Sequence, residues 1–362
     1  MSNRDCSFSS LSAATSNPGR SIPSPAYTGP QTPTSSGSGT HSELRVNTLD
    51  EAINLQHAEL LIHLTSPAAS DIVSLGDGVE PYHTTISQAL SIGLRSPYLL
   101  YQLLAFSARH LAYLHPERAA DYTHQATSLQ TRAISLFTLQ TTPIVVGKAN
   151  CVPICLFSVV LGHHLLADTL ALAAQPTSGA LDVFLGQYVQ SLSTHRGVFT
   201  VAMSGWAYLM SSDLASVLCR SRAFTSREPS GHECHQLRGL VTESPTLDYA
   251  ERGACLQAIR YLQLGFDALT PGETGENMRY QMLFLWNALV PPKYTALLAA
   301  KRPEALLVLS YYTLLLHHGR HIWQVGAAGR YIFAMIEQDM GPEWKAWLEY
   351  PRVGFGFGTR AG

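Results

Sequence analysis

The stretch KRPEALLVLSYYTLLLHHGRHIW, residues 301–323, decides the fold class. Pro303 suits the first position of a helix, where its missing N–H is not needed. From there to Leu316 nearly every position is apolar or aromatic, so a helix here keeps no polar face for water. Such a helix belongs at the centre of a bundle, and the rest of the chain supplies the helices to surround it. Ser96-Pro97 is a start signal, followed by Leu100, Leu103, Leu104, Ser107 and Leu111 before Pro116 stops the pattern. Tyr122, Ala126, Leu129, Ala133 and Leu136 repeat the spacing, so the two segments form a helical hairpin. Thr48 with Glu51 three residues later fits a capping box, and Leu49, Ile53, Leu60 and Leu64 share one face of a helix running to Leu64. Phe184, Tyr188 and Leu192 mark another helix, which the sequence ends at a His195-Arg196-Gly197 corner. Cys255, Ile259, Leu262 and Phe266 mark one more, and the polar residues 220–245 read as a loop or short helices. With no sustained strand alternation, no glycine-rich βα turn and no fixed-period repeat, the fold class is all-α: a compact bundle of stacked helical hairpins.

Composition agrees with a heavily buried domain. Of 362 residues, 46% are apolar and only 14% charged, against about 25% charged in an average globular chain. The net charge of −2 gives no global positive field for nucleic acid, so any DNA contact has to be local or made by a part outside this chain. Residues 151–174, CVPICLFSVVLGHHLLADTLALAA, could span a bilayer by length. His163, His164 and Asp168 near the middle would be costly in lipid, so the segment reads as a buried helix and no membrane span is expected. Residues 11–44, dominated by Ser, Thr, Pro and Gly, cannot offset their ordering entropy and read as a disordered linker. The glycine-rich end, residues 352–362, reads as a flexible tail. The six cysteines are scattered behind no secretory signal, so reduced, intracellular thiols are expected.

Candidate chemistry is sparse. Cys151 and Cys155 at i and i+4 could share a helix face, but no second cysteine pair stands at zinc spacing, and their Val, Ile and Leu neighbours favour small buried thiols. His317, His318 and His321 lack the glutamate of a zinc-hydrolase helix and read as groups near a helix C-terminus. Of the adjacent His163 and His164, one is expected to be buried and hydrogen-bonded. GHECH, with His232, Cys234 and His235, is the most ligand-dense short stretch, yet nothing nominates further ligands. No P-loop, no G-x-S-x-G elbow and no Asp-rich diphosphate site is present, so no catalytic residue is assigned and a binding or regulatory role is favoured over an enzyme. Cys6, in NRDCSF, has three readings: a surface thiol, half of a disulfide, or the last ligand of a metal site whose other ligands are missing.

Several segments together carry a resemblance. They are W-x-x-x-V-P-x-x-Y at Trp286, Val290, Pro291 and Tyr294, the RPEAL helix with its tyrosine pair and following Trp323, GPEWKAWLEYP at 341–351, and THRGV at 194–198. The combination resembles the C-terminal regulatory region of fungal zinc-binuclear-cluster (Zn2Cys6) transcription factors, in the branch that includes sterol-uptake regulators. WQVGAAG at 323–329 and Tyr350-Pro351 depart from the usual Trp/Gly-rich turn and Trp-Pro ending. The resemblance implies a nuclear regulatory domain at 45–351 that contacts transcription coregulators and a sterol-like ligand. It also implies that residues 1–10 are the end of a zinc cluster, with Cys6 as the last of six thiolates. A lone thiolate cannot hold the ion. Zinc and DNA are thus expected only through a cluster missing from this chain, and the alternative is a cluster-less interaction scaffold or co-regulator.

Overall fold

A computed structural model of the chain describes residues 54–66, 82–140, 145–174, 179–270 and 279–356. Among the described residues there are fifteen α-helices and no strand, so the all-α reading holds. Residues 1–10, the linker at 11–44 and the Thr48/Glu51 capping box lie outside the described residues.

The first helix, α1 (Leu55–Thr65), is capped by Asn54, whose side chain accepts from the His57 amide at 3.0 Å. After α2 (Tyr82–Gly93), the Ser96-Pro97 signal opens α3 (Pro97–Leu114), and a 3-10 turn at Pro116–Arg118 leads back into α4 (Ala119–Gln140). These form the expected hairpin, with Tyr122, Ala126, Leu129, Ala133 and Phe137 as the inward stripe of α4. Next comes α5 (Cys151–Leu172), the one helix among the described residues long and apolar enough to cross a membrane. Two thirds of its most apolar window (67%) is buried inside the protein, as in a core helix.

Two readings are corrected by the chain that follows. The His195-Arg196-Gly197 corner does not exist, because α6 (Ala180–Ser204) runs straight through it. One interior glycine costs a helix about 1 kcal/mol, and tertiary contacts outweigh it: Arg196 Nη2 donates to Val290 O at 3.1 Å and Thr295 Oγ1 at 2.7 Å. The flexible-tail reading fails for residues 352–356. Arg352, Val353 and Gly354 complete α15 (Glu349–Gly354), and Phe355 is buried against Phe333 and His317 with ring centroids 4.9 and 4.8 Å apart. A Cβ on Gly354 would stand 2.7 Å from Leu314 Cδ1, so that glycine permits close helix approach.

The remaining helices are α7 (Trp206–Leu209), α8 (Ala215–Thr225), α9 (His235–Glu243), α10 (Tyr249–Asp267), α11 (Gln281–Leu289), α12 (Pro292–Ala299), α13 (Pro303–His318) and α14 (Ala328–Asp339). Residues 220–245 are therefore mostly short helices. A complete capping box starts α10: Asp248 accepts from the Glu251 amide at 2.7 Å and Glu251 accepts from the Asp248 amide at 3.1 Å. Every residue of α13 from Glu304 to Leu316 is buried, as its lack of a polar face requires. Two apolar clusters result, one built on α1–α5 with Trp323, the other on α6 and α9–α15, and α5 contributes to both.

Candidate functional site

The W-x-x-x-V-P-x-x-Y residues sit at the centre of the second cluster. Helix α11 stops where Val290 and Pro291 are extended, and Pro292 opens α12, so the motif is a tight helix–helix turn. Trp286, Val290 and Tyr294 are all fully buried. The Trp286 indole stacks on Tyr312, with centroids 4.2 Å apart, and its Nε1 donates to Ala258 O at 3.1 Å. Tyr294 meets Trp286 edge-on and donates to Ala305 O at 3.1 Å.

Beside Trp286, the Asn287 amide joins three helices. Its Oδ1 accepts from Tyr188 OH at 2.6 Å, and its Nδ2 donates to Tyr312 OH at 2.8 Å and Leu283 O at 3.0 Å. Tyr312 OH in turn donates to Leu283 O at 2.6 Å. Burial pushes Tyr188 and Tyr294 well above the usual phenol range, so both stay protonated.

Tyr188 and Asn287 also line a small cleft between α5, α6 and α11, with about 10 Å³ of space, roughly that of one water molecule. Gly162, Thr169, Ser191 and His195 line it with Leu165, Leu166 and Leu192. The Thr169 and Ser191 hydroxyls are hydrogen-bonded at 2.9 Å. The His195 ring lies against Gly162, where a Cβ would stand 2.4 Å from Nε2, so the glycine is what lets α6 approach α5 here. Burial, then the nearby Arg196, lower His195 to about 4, although a hydrogen bond to the Ser158 backbone raises it. The titratable groups in the lining are neutral at pH 7, so the cleft offers hydroxyl, amide and imidazole hydrogen bonds beside apolar surface.

No family model matches the chain. A Gibberella zeae protein described as a "Zn(2)-C6 fungal-type transcription factor" is 24% identical over 338 residues, covering 88% of this chain. The chain spans 65% of that protein's length. The match supports the resemblance to fungal Zn2Cys6 transcription factors drawn from the sequence motifs, at the level of the family and not of a branch.

The described residues do not fit a zinc cluster. Cys6 lies outside them, and among them no three His, Cys, Asp or Glu side chains come together to hold a metal. Cys151, Cys155, Cys234 and Cys255 are separately buried and Cys219 is exposed. Burial, and next the neighbouring Cys151, push the Cys155 thiol up to about 11, far from a ligand thiolate. In GHECH, Cys234 is buried while His232 and His235 face solvent, so the three do not converge. His317 packs on Phe355 and His321 on Tyr280, in different directions.

His163 and His164 correct the sequence reading in another way, since both are buried. Their helix has a core cluster on each side, so adjacent residues pointing apart still both point inward. His164 Nδ1 meets Gln102 Nε2 at 3.1 Å and its Nε2 lies 3.4 Å from Asp168, itself paired to Arg109 at 2.7 Å. His163 stacks on Phe284 with centroids 4.1 Å apart. Sequence reasoning missed Asn287, Tyr188 as a hydrogen-bond donor, and Gly162. Only Asn287 had a local signal, as a polar residue within the apolar run MLFLWNAL.

Proposed function

We propose that this chain is the regulatory part of a nuclear transcription regulator of the fungal Zn2Cys6 type, acting through transcription coregulators. The observation that carries the reading is the extent of the similarity, which covers 88% of the chain and so takes in most of the helical domain. The motif behind the resemblance belongs to the central packing of the bundle, as befits residues that define a domain. The role is non-catalytic. DNA contact is part of the proposal only through a zinc cluster whose other five thiolates would come from outside this chain, with Cys6 as the sixth.

A sterol-like ligand is the finest part of the reading and rests on the resemblance. The α5–α6–α11 cleft has only about 10 Å³ of space, roughly that of one water molecule, so α5 and α6 would have to part to admit such a ligand. Lipid extraction and mass spectrometry of the purified chain test it, and recovery of nothing apolar removes the ligand from the reading. The regulator role is tested by fusing the chain to an unrelated DNA-binding domain upstream of a reporter in a fungal cell. A reproducible rise or fall in reporter output is expected. An unchanged reporter, with the fusion visible in the nucleus, overturns the role.

A further inference from the structure

The sequence at the end of α8, RSRAFTSREP at 220–229, sets arginines around a threonine at fixed spacing. Arg220 and Arg222 stand five and three residues before Thr225, and Arg227 stands two after it. Helix α8 stops at Thr225, and residues 226–230 continue without helix. Arg220, Arg222 and Arg227 are exposed and Thr225 is half-buried. Of the eleven residues of α8 only Phe224 is buried, so little packing holds the last turn closed, and helix ends are where local opening begins. The Thr225 hydroxyl serves only its own helix, donating to Ser221 O at 3.1 Å and Arg222 O at 3.2 Å.

Guanidinium groups already surround this end. Arg260, on α10, reaches across to it: Nη1 donates to Thr225 O at 3.0 Å and Nη2 to Arg227 O. Its ion pair with Glu228 is loose, at 4.0 Å on a carboxylate side chain 92% exposed. Arg222 lies one turn before Thr225 on the same side of α8, with its guanidinium 5.5 Å from the Trp206 ring centroid. Among the described residues no carboxylate is within ion-pair distance of Arg222. A phosphate ester brings about two negative charges and three acceptor oxygens, which arginine forks pair with best. At a helix C-terminus it also meets the negative end of the helix dipole, so it settles there only where such groups stand ready. Protein kinases choose substrates partly by charge pattern, and one whose groove presents carboxylates to arginines ahead of the acceptor selects this stretch.

We propose that Thr225 is a phosphorylation site for an arginine-directed protein kinase, with Arg222 and Arg260 receiving the phosphate. In the transfer, Thr225 Oγ1 attacks the γ-phosphorus of ATP and the bond from that phosphorus to the β,γ-bridging oxygen breaks. ADP leaves, and the hydroxyl proton passes to the catalytic aspartate of the kinase. Arg260 then turns from the Thr225 and Arg227 carbonyls to the phosphate, and the end of α8 loses its tie to α10. The proposal does not need the regulator role to hold.

The test incubates the full chain with magnesium, ATP and either the catalytic subunit of cAMP-dependent protein kinase or the catalytic domain of protein kinase C. Sites are mapped by tandem mass spectrometry, with a peptide of residues 218–230 as control. Phosphate on Thr225 is expected, absent in Thr225→Ala and slowed about tenfold or more in Arg220→Ala/Arg222→Ala. Amide exchange within 218–228 should quicken on phosphorylation. In Arg260→Gln the phosphate should still be transferred, but exchange should change no further, because the tie to α10 is already cut. The proposal is overturned if neither kinase modifies the peptide, or if the peptide is modified and the folded chain is not. Phosphate on Ser221 or Ser226 instead of Thr225 overturns it too, as does exchange that phosphorylation leaves unaltered in the unsubstituted chain.

Discussion

Around Trp286 a connected set of buried polar groups is made of phenols, an indole and an amide, whereas the core built on α1–α5 holds a set of imidazoles. Tyr188, Trp286, Asn287, Tyr294 and Tyr312 satisfy one another or backbone carbonyls, and none of them changes charge near neutral pH. In the other core, His63 Nε2 and His110 Nδ1 share a hydrogen bond at 3.1 Å, one ring donating and the other accepting, while His163 and His164 lie inside α5. The set around Trp286 is indifferent to acid, and the imidazole set is not. The largest expected effect therefore comes from the first. Trp286→Ala removes a fully buried indole, its stack on Tyr312 and its bond to Ala258, and should cost about 3–5 kcal/mol in chemical denaturation, with the same loss at pH 7 and pH 5. A loss under about 1 kcal/mol would mean that the indole does not organise this core.

Acid should divide the two cores. Burial, followed by His63 and Arg109, lowers His110 to about 3, and burial, followed by His195, lowers His163 to about 3. Burial lowers His63 and His164 as well. The unfolded chain takes up the His110 and His163 protons near pH 6.5 while the folded chain refuses them until about pH 3, so their contribution to stability is complete above 6.5 and declines as pH falls through that window. The limiting slope is about 1.4 kcal/mol per pH unit for each histidine. For His110 and His163 together the loss between pH 6.5 and 5.5 is about 2 kcal/mol. In the other core, burial raises the Glu304 carboxyl, but hydrogen bonds from Ser244 and Thr246 outweigh it and hold the group below its usual value, so it stays ionised between pH 7 and pH 5. Amide exchange followed from pH 7 to pH 5 should show protection failing in α1, α3 and α5 before α13. Denaturation midpoints that stay flat over that range would contradict the division.

The same contrast explains what the sequence disclosed. Helix α13 was legible because an apolar run with no polar face has only one place to go, and the α3–α4 hairpin because Pro97, Pro116 and a regular stripe mark it. The continuation of α6 was not, because Gly197 and two polar neighbours look like a turn until Arg196 is seen bonded to the α11–α12 turn, 94 residues away at Val290. Gly354 and Phe355 misled likewise, since glycine in a tail and glycine under a packed helix look the same in one dimension. The cleft was hidden for a further reason. Gly162, Thr169, Ser191 and His195 carry no motif, and only the crossing of α5 and α6 brings them together.

Two smaller substitutions sharpen the comparison. Tyr312→Phe deletes a hydroxyl that donates to Leu283 O and accepts from Asn287 Nδ2, and should cost about 1–2 kcal/mol regardless of pH, since it strands buried neutral groups. His163→Phe is the most discriminating. Phenylalanine fills a similar volume and can keep the stack on Phe284 and the edge contact with Phe106, so the change at pH 7 should be under about 1.5 kcal/mol. It also removes a group that the unfolded chain protonates and the folded chain does not, so the decline below pH 6.5 should become shallower by up to about 1.4 kcal/mol per unit. The two stability curves then cross, and the variant becomes the more stable protein in acid. Parallel curves across pH 7 to 5 would show that the imidazole at position 163 is not among the groups that make the protein acid-sensitive, leaving the His63–His110 pair, His164 and His195 to account for it.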